Sequence, residues 1–101
     1  MVVEYIRHHV STDRQAEFEN AYATASSALE TSPHCLAYEV SRCVEHPEHY
    51  VVRIEWDSVE GHERGFRSSP DLPGFFAAVK PFFQQIHEMR HYQPTDVASA
   101  S

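Results

Sequence analysis

The sequence predicts an α+β fold in which one antiparallel sheet of four strands carries its helices on a single face. Residues 50–58 alternate large apolar with mostly charged side chains, the period-two pattern of a strand with one buried face. Two other stretches, residues 12–30 and 71–85, repeat apolar side chains at helical spacing. With the remaining segments they give the order strand, helix, strand, strand, helix, strand, which favours this fold.

Length and composition limit the class of protein. A chain of 101 residues forms one domain, with a core small enough that oligomerisation would add stability. The net charge of -7 and the presence of only eight lysines and arginines argue against nucleic acid and anionic membranes as partners. No apolar run approaches the roughly 18 residues of a membrane span, and we identify no secretory signal, so we expect a cytoplasmic protein.

The two cysteines point to the same compartment. Cys35 and Cys43 lie on one predicted strand, about 26 Å from each other at about 3.3 Å per residue. This separation is far outside the reach of a disulfide bond. We therefore expect two free thiols, which fits a reducing environment.

The first half of the chain contains a strand, a helix and a hairpin. Residues 2–10 alternate as a strand, and Thr12 with Gln15 resembles a capping box that begins a helix reaching to about Glu30. The apolar stripe of this helix contains Phe18, Ala21, Tyr22, Ala25 and Leu29. Pro33 ends the helix because it cannot donate a backbone hydrogen bond. Residues 35–44 and 50–58 then form two strands joined by a short turn at residues 46–49.

The second half adds the remaining helices and the last strand. Ser58 is predicted to cap a short helix that reaches to about Phe66, and residues 67–70 break the chain. A second helical segment covers residues 71–85, with Pro81 kinking or loosening its last turn. Residues 86–92 form the final strand, and residues 94–101 are small, polar and aperiodic, so we expect a disordered tail. The element order is that of the ferredoxin-like split βαββαβ arrangement.

Helices cover only one face of such a sheet, and the strand parities assign nine residues to the other face. These are Val3, Tyr5, Arg7, Glu39, Arg53, Glu55, Glu88, Arg90 and Tyr92. Matched charges of this kind favour a self-complementary surface, because a two-fold interface must pair its own charges. We expect a homodimer through this uncovered face. The alternative is a solvated face whose ion pairs contribute little.

Several short motifs carry a resemblance to a known family. They are Glu45-His46-Pro47-Glu48 in the hairpin turn, Glu55-Trp56-Asp57-Ser58 at the strand end, Glu60, Phe66-Arg67-Ser68-Ser69-Pro70 and Phe75-Phe76-Ala77-Ala78-Val79. Over about residues 2–92 the chain resembles the antibiotic biosynthesis monooxygenase domain family. The resemblance implies one ferredoxin-like domain over residues 1–93 and a subunit that pairs with a second copy into a dimeric α+β barrel.

The family that this chain resembles includes cofactor-free oxygenases of anthrones, quinol oxidases and haem-degrading enzymes. The haem branch carries an asparagine on the first strand and an axial histidine after the Phe-Ala-Ala motif. Here the only asparagine is Asn20, and Val79 occupies the position of that histidine. Many relatives also carry a histidine nine residues after the strand-end aromatic, where this chain has Gly65, with His62 one helical turn earlier. The two departures from the haem branch argue against haem degradation, and the missing histidine at Gly65 favours a non-catalytic module.

A cofactor-free oxygenase needs an apolar pocket, a group that takes a proton and a means of stabilising an oxyanion. The candidate catalytic residues are His62, as general base, and Trp56. The candidate substrate-binding residues are Tyr22, Tyr38, Phe75, Phe76, Phe82 and His87, with His87 and His91 assigned to one strand face. The same aromatic residues at strand and helix spacing are also typical of a core. Trp56 in particular is either a pocket wall or a core plug.

The sequence predicts neither a metal site nor a cofactor. His46 and His49 flank a proline turn and His8 and His9 end the first strand, but their spacing matches no structural zinc motif. Glycine-rich phosphate loops and nucleophile elbows are also missing from the sequence. The expected function is a cofactor-independent monooxygenase that oxidises an aromatic quinol or anthrone-like small molecule with O2. The alternative is a non-catalytic dimeric module that binds a ligand or a partner.

Overall fold

The structure, a computed structural model, describes residues 1–99 and confirms the predicted α+β fold. In chain order the elements are β1 (Val2–His9), a 3-10 turn (Thr12–Arg14), α1 (Gln15–Thr31), β2 (Cys35–Arg42), β3 (His49–Trp56), a π-helical segment (Gly61–Phe66), α2 (Leu72–Val79), a 3-10 segment (Lys80–Gln85) and β4 (Ile86–Tyr92). The strands are antiparallel in the order β2-β3-β1-β4, which is the ferredoxin-like topology. None of the helices within residues 1–99 has the length and apolar character that crossing a membrane requires.

The register of β1 against its neighbours decides which side chains meet. β1 pairs with β3 along its whole length, and its other edge pairs with β4. Glu4 is opposite His91 of β4, but the register shifts towards the other end, where His8 is opposite Ile86. A bulge of this kind breaks the alternation of side chains along the strand. The prediction that His87 and His91 share one face is therefore wrong.

The core lies between the sheet and the helices. It contains Val2, Ile6, Val10, Phe18, Tyr22, Ala25, Leu29, Tyr50, Val52, Ile54, Trp56, Phe66, Val79 and Phe82. The ring of Phe18 is fully buried, with its centroid 4.6 Å from Tyr50 and 5.1 Å from Phe82. Aromatic pairs of this kind add about 0.5–1.5 kcal/mol beyond the burial of their area. The helical stripe and the strand alternation therefore identified the core correctly.

Two of the three local signals predicted from the sequence are present. The hydroxyl of Ser58 accepts a hydrogen bond from the backbone N–H of Gly61 at 2.8 Å, as predicted for a cap. Pro81 follows the end of α2, where the chain tightens into a 3-10 segment. The capping box is wrong, because no side chain caps α1 and the amide of Gln15 donates to the carbonyl of Pro47 at 2.8 Å. A contact across the fold replaces the local one.

The ends of the chain elements differ slightly from the predicted bounds. β2 ends at Arg42, so Cys43 lies just beyond the strand, and both cysteines are free thiols. β3 begins at His49 and ends at Trp56, two residues before the predicted end. Residues 93–99 contain no helix or strand, and residues 100–101 of the predicted tail lie outside the described residues.

Candidate active site

A cavity of about 350 Å³ lies between the covered face of the sheet and the helical segments. Its lining consists of Glu4, Ile6, Tyr22, Ile54, Trp56, His62, Phe66, Arg67, Leu72, Phe75, Phe76, Val79, Phe83, Ile86 and Met89. Small-molecule sites typically combine a mostly apolar surface with a few polar groups in a volume of about 300–1,000 Å³. This cavity therefore suits a small organic ligand.

Aromatic rings form much of the cavity wall. Phe66 lies edge-on to Phe75 with 5.4 Å between the ring centroids, and Phe75 lies edge-on to Tyr22 at 6.4 Å. On the outer side Phe76 and Phe83 are in edge-on contact at 4.8 Å, and both are more than a third exposed. Edge-on rings present both faces and edges to a neighbour, which favours a flat aromatic ligand.

Glu4 places a carboxyl group in the apolar wall of this cavity. It lies on the covered face of β1 and is only 2% exposed. Its Oε1 accepts a hydrogen bond from the indole Nε1–H of Trp56 at 3.0 Å. Burial raises the pKa of Glu4 to about 7, and the Trp56 hydrogen bond and the charge of Arg67 oppose that rise. Near neutral pH this carboxyl group can therefore both accept and release a proton.

His62 connects Glu4 to a second histidine. Its ring stacks on the indole of Trp56, with 4.4 Å between centroids and 9° between planes. Its Nε2 lies 3.6 Å from Oε1 of Glu4, and its Nδ1 lies 2.7 Å from Nε2 of His91. Burial lowers the pKa of His62 to about 4, with a further contribution from the charges of Arg67 and His91. Burial thus favours the neutral forms of Glu4 and His62, although they are close enough to form an ion pair.

The three groups form a chain from the buried carboxyl group towards the surface. Glu4 and His62 are buried, whereas His91 on the edge strand β4 is partly exposed. A neutral imidazole can take a proton at one nitrogen and release one from the other. The chain is therefore suited to carry a proton between a ligand in the cavity and solvent.

The same three residues could in principle hold a metal ion. Glu4, His62 and His91 each offer one ligand atom within 4.8 Å of the others, and two histidines with one carboxylate is the ligand set of non-haem iron(II) oxygenases. However, the two nitrogens of His62 face different partners, and the nitrogen nearest His91 is at hydrogen-bond distance. The arrangement fits a hydrogen-bonded chain better than three ligands converging on one ion.

The structure brings five of the predicted site residues to one cavity. They are Tyr22, Trp56, His62, Phe75 and Phe76. Trp56 is 1% exposed, so the two alternatives for this residue are both realised, as a cavity wall and as part of the core. Their roles in catalysis or binding stay predictions.

Three predicted substrate-binding residues lie elsewhere. Tyr38 lines a different cleft, because β2 is an edge strand separated from the cavity by β3. Phe82 is buried in the core, since the tighter 3-10 winding turns it inward and leaves Phe83 at the cavity. His87 contacts His9 on the uncovered face, because the bulge in β4 reverses its direction. These three assignments to the pocket are corrected.

Sequence reasoning missed Glu4 and Arg67. Glu4 does carry a signal, because it is a charged residue in the strand parity that also contains Val2 and Ile6. A carboxylate in a core-facing position is uncommon and points to a functional role. Arg67 follows the π-helical segment at a predicted break and has no comparable signal.

The structure also explains why position 65 is a glycine. A side-chain carbon at Gly65 would lie 2.4 Å from Nε2 of His34, so the ring of His34 occupies that space. His34 is held there by a hydrogen bond between its Nδ1 and Oδ2 of Asp57 at 2.8 Å. The space that a side chain at position 65 would need is thus filled by the imidazole of His34.

Comparison with known proteins shows which sequences and folds this chain is similar to. The chain is 27% identical over 93 residues to the uncharacterized protein YczJ of Bacillus subtilis, covering 92% of this chain and 98% of YczJ. A Bordetella bronchiseptica protein assigned as an antibiotic biosynthesis monooxygenase is 25% identical, with a TM-score of 0.75 over 93% of this chain and 96% of its own. Rv0793 of Mycobacterium tuberculosis shares the fold at 14% identity, with a TM-score of 0.75 over 97% of this chain and 98% of its own.

A family model matches most of the chain directly. Residues 1–80 match the model described as antibiotic biosynthesis monooxygenase. The matched region runs from β1 through α2, so it includes Glu4, Trp56 and His62, whereas Phe83 and His91 lie beyond it. The chain belongs to the antibiotic biosynthesis monooxygenase family.

Proposed function

We propose that this protein is a cofactor-independent monooxygenase that oxidises an aromatic quinol or anthrone-like small molecule with O2. The observation that carries the proposal is the buried carboxyl group of Glu4, which has a raised pKa and is connected through His62 to His91. It lies in the wall of an apolar, aromatic cavity that is large enough for such a ligand. Family membership and the similarity to the Bordetella protein support a monooxygenase reaction.

In this proposal Glu4 acts as the general base. The ionised carboxylate removes a proton from an activated carbon of the substrate, such as the methylene group of an anthrone. The resulting enolate carries negative charge, which the guanidinium of Arg67 at the cavity wall stabilises. Trp56 holds the carboxyl group in place by its hydrogen bond, and His62 passes protons between Glu4 and His91.

The substrate itself supplies the electrons. The enolate transfers one electron to O2, and the radical pair combines to form a carbon–oxygen bond and a peroxide, which is then protonated. Glu4 removes the second proton from the same carbon, the O–O bond breaks and hydroxide leaves with a proton as water. The net change is a methylene group plus O2 giving a carbonyl group plus water.

Val79, which has no ligand atom, stands in the cavity wall where the haem branch would carry its axial histidine.

Replacing the proposed base tests this function. Glu4→Gln keeps the shape and an oxygen that can accept the Trp56 hydrogen bond, but it removes the group that titrates. We expect turnover of an anthrone, followed as O2 uptake, to fall by about 100-fold or more, the usual contribution of a general base. The matched control is Glu60→Gln, because Glu60 is exposed and does not line the cavity.

Two results would contradict the enzyme proposal. The first is unchanged turnover in Glu4→Gln, which would show that this carboxyl group takes no part in the reaction. The second is O2 uptake no faster than buffer across a panel of anthrones and reduced quinols with the unmodified protein. Native mass spectrometry on the same samples then shows whether the cavity binds such compounds without turning them over.

A non-catalytic ligand-binding or interaction module is the second candidate. Burial favours it, since Glu4 is 2% exposed and His62 is 5% exposed. Buried polar groups need hydrogen-bond partners whether or not they react, so the chain of polar groups could serve the core alone. This alternative predicts saturable quenching of Trp56, the only tryptophan, by an aromatic quinone without O2 uptake.

We further propose that two copies associate through the uncovered sheet face. One row across the sheet contains Glu39, Arg53, Tyr5 and Arg90, as paired by the strand registers. Arg53 contacts Glu55 and the hydroxyl of Tyr5, whereas Glu39 and Arg90 form no ion pair within residues 1–99. These two residues lie on opposite edge strands, so a two-fold axis through the face could bring unlike charges together.

A further inference from the structure

Four of the eight histidines meet at one end of the uncovered face. His9 of β1 is directly opposite His49 of β3, and their rings stack with 5.1 Å between centroids and 16° between planes. The ring of His87 in β4 lies 5.6 Å from that of His9, and the ring of His46 lies edge-on to His49 at 5.9 Å. This histidine cluster, His9, His46, His49 and His87, is outside the candidate active site.

The backbone holds the cluster in place. His9, His49 and His87 are on three adjacent strands, and the bulge in β4 turns His87 towards the other two. The hairpin turn is tied to the end of β1 by a hydrogen bond from the N–H of Val10 to the carbonyl of Glu48 at 2.7 Å. Side chains on rigid strands are better suited to bind an ion than side chains on free loops.

Packing does not explain four histidines at these positions. All four side chains are exposed, so the core does not require them. Within residues 1–99 none of the four rings forms a hydrogen bond, in contrast to His34, His62 and His91. Their nitrogens are therefore free to bind another group.

The ligand atoms are close enough for one ion. His9, Glu48 and His49 each offer one ligand atom, and these atoms lie within 4.8 Å of one another. Residues directly opposite on antiparallel strands have Cβ atoms about 4.5–5.5 Å apart, so small rotations of exposed rings can direct both imidazoles at a single ion. A zinc ion needs nitrogen ligands at about 2.0–2.1 Å and carboxylate oxygens at about 2.0–2.2 Å.

We propose that the histidine cluster binds a divalent transition-metal ion of the zinc class. His9 and His49 supply two imidazoles, Glu48 supplies the carboxylate, and His87 supplies the third imidazole by rotation towards His9. Imidazole suits zinc, copper and nickel, whereas calcium and magnesium prefer sites built only from oxygen. This site is not predicted by the sequence spacing, because its ligands come from three strands and the hairpin turn, which only the fold brings together.

The location sets the consequences of binding. The cluster lies on the opposite sheet face from the cavity and at the opposite end of β3 from Trp56. A metal ion there would join β1, β3, β4 and the hairpin turn without contacting the candidate active site. In the single chain, an adjoining cleft of about 530 Å³, which His46, His49, His87 and Cys43 help to line, gives solvent access to the site at the end of the uncovered face.

Titration of the metal-free protein with Zn²⁺, followed by calorimetry, tests the proposal. The full chain is used without a histidine tag, and Co²⁺ serves as a visible probe, since four-coordinate Co²⁺ has a characteristic absorption spectrum. We expect one Zn²⁺ per chain, and binding weakened by about tenfold or more in His9→Ala, His49→Ala, His87→Ala and Glu48→Gln, because each removes a ligand. Zinc should also raise the melting temperature of the unmodified protein, since it binds the folded state.

Matched controls separate this site from other histidines and carboxylates. His34→Gln and Glu45→Gln should bind Zn²⁺ like the unmodified protein, because neither residue belongs to the proposed ligand set. Equal zinc binding in His9→Ala, His49→Ala and the unmodified protein would overturn the proposal. Loss of binding in His62→Gln with full binding in His49→Ala would also overturn it, by moving the ion to the buried Glu4, His62 and His91.

Discussion

At the scale of single residues, Glu4 is balanced between two protonation states. Burial raises its pKa to about 7, while the hydrogen bond from Trp56 and the charge of Arg67 favour the ionised form. A general base works best when its pKa lies near the working pH. His62, whose pKa burial lowers to about 4, stays a neutral carrier in the same range. Burial thus shifts the two pKa values in opposite directions. Under the proposed function, Glu4 is then the base and His62 the neutral proton carrier.

The first prediction concerns Trp56. Trp56→Phe removes the hydrogen bond that favours ionised Glu4, so we expect the acid limb of the pH–rate profile to move to higher pH. Loss of ring area and of the hydrogen bond should lower the free energy of unfolding by about 1–3 kcal/mol. Denaturant titration and activity against pH measure the two effects. Phe82→Leu is the control, because it also opens the core but Phe82 does not line the cavity. The same shift of the acid limb in Phe82→Leu would contradict the assignment of the shift to the hydrogen bond between Trp56 and Glu4.

The second prediction concerns His8, which is buried beside Phe18 and Tyr22 with its Nδ1 unpaired. Burial lowers the pKa of His8 to about 4, below the 6.5 of an unfolded chain. The unfolded state therefore binds the proton first as the pH falls from 6.5 to 4, and stability is lost over that range by up to about 3 kcal/mol. We expect His8→Phe to remove this loss, as measured by denaturant titration at pH 7, 6, 5 and 4.

Other groups in the core also titrate in this range. His62 adds to the loss of stability at low pH, whereas Glu4, with its raised pKa, destabilises the fold as the pH rises from 4.5 to 7. The informative quantity is therefore the difference in slope between His8→Phe and the unmodified protein. Equal slopes in His8→Phe and the unmodified protein would show that His8 titrates normally.

At the scale of elements, the π-helical segment positions His62. Its wide turn is visible in the hydrogen bond from the N–H of Arg67 to the carbonyl of His62, five residues back, at 3.2 Å. The segment packs closely on the ring of His34 at Gly65. Wide turns of this kind are frequent at functional sites, and here one places an imidazole flat on Trp56.

The third prediction compares two glycines in helical segments. Gly65→Ala would push the ring of His34 away from Asp57, so we expect a loss of about 1–2 kcal/mol in the free energy of unfolding. Gly74→Ala has open space in α2 and should stabilise by about 0.5–1 kcal/mol through helix propensity. Denaturant titration compares both. In a His34→Ala background, the cost of Gly65→Ala should disappear, and a persisting cost would point to backbone strain instead.

At the scale of the whole molecule, the sheet separates two polar systems. The covered face holds the Glu4, His62 and His91 chain, whereas the uncovered face holds the histidine cluster and six charged residues. Those six are Arg7, Glu39, Arg53, Glu55, Glu88 and Arg90, and their charges sum to zero. A neutral face with mixed signs on a chain of net charge -7 favours self-association.

The fourth prediction concerns this association. Arg53→Glu places a negative charge beside Glu39 and Glu55. We therefore expect the dimer of this variant to dissociate at a higher protein concentration than the dimer of the unmodified protein. Light scattering measures the mass, and circular dichroism checks that the variant is folded. Arg64→Glu, on an exposed helical position outside that face, is the control. A mass of about 11.6 kDa for the unmodified protein at micromolar concentration would remove the dimer.

Patterns within short windows were sufficient for the elements and the core. The alternation of residues 50–58, the stripe from Phe18 to Leu29 and the cap at Ser58 each depend on neighbours in sequence, so they could be read without the fold. Aromatic positions on α2 and the presence of His62 near Trp56 followed from the same local spacing. By itself, the sequence determined the fold class and five of the fifteen residues that line the cavity.

Tertiary structure alone decided which polar groups meet and how they titrate. The contact of Glu4 with Trp56 and His62 depends on the pairing of β1 with β3, and the pKa of Glu4 depends on its depth in the core. The bulge that separates His87 from His91 depends on the register of β4 against β1. Register and burial depend on residues that are distant in sequence, so no periodic pattern within a short stretch predicts them. For that reason the contacts and the raised pKa of Glu4, and the histidine cluster, became visible only in the folded chain.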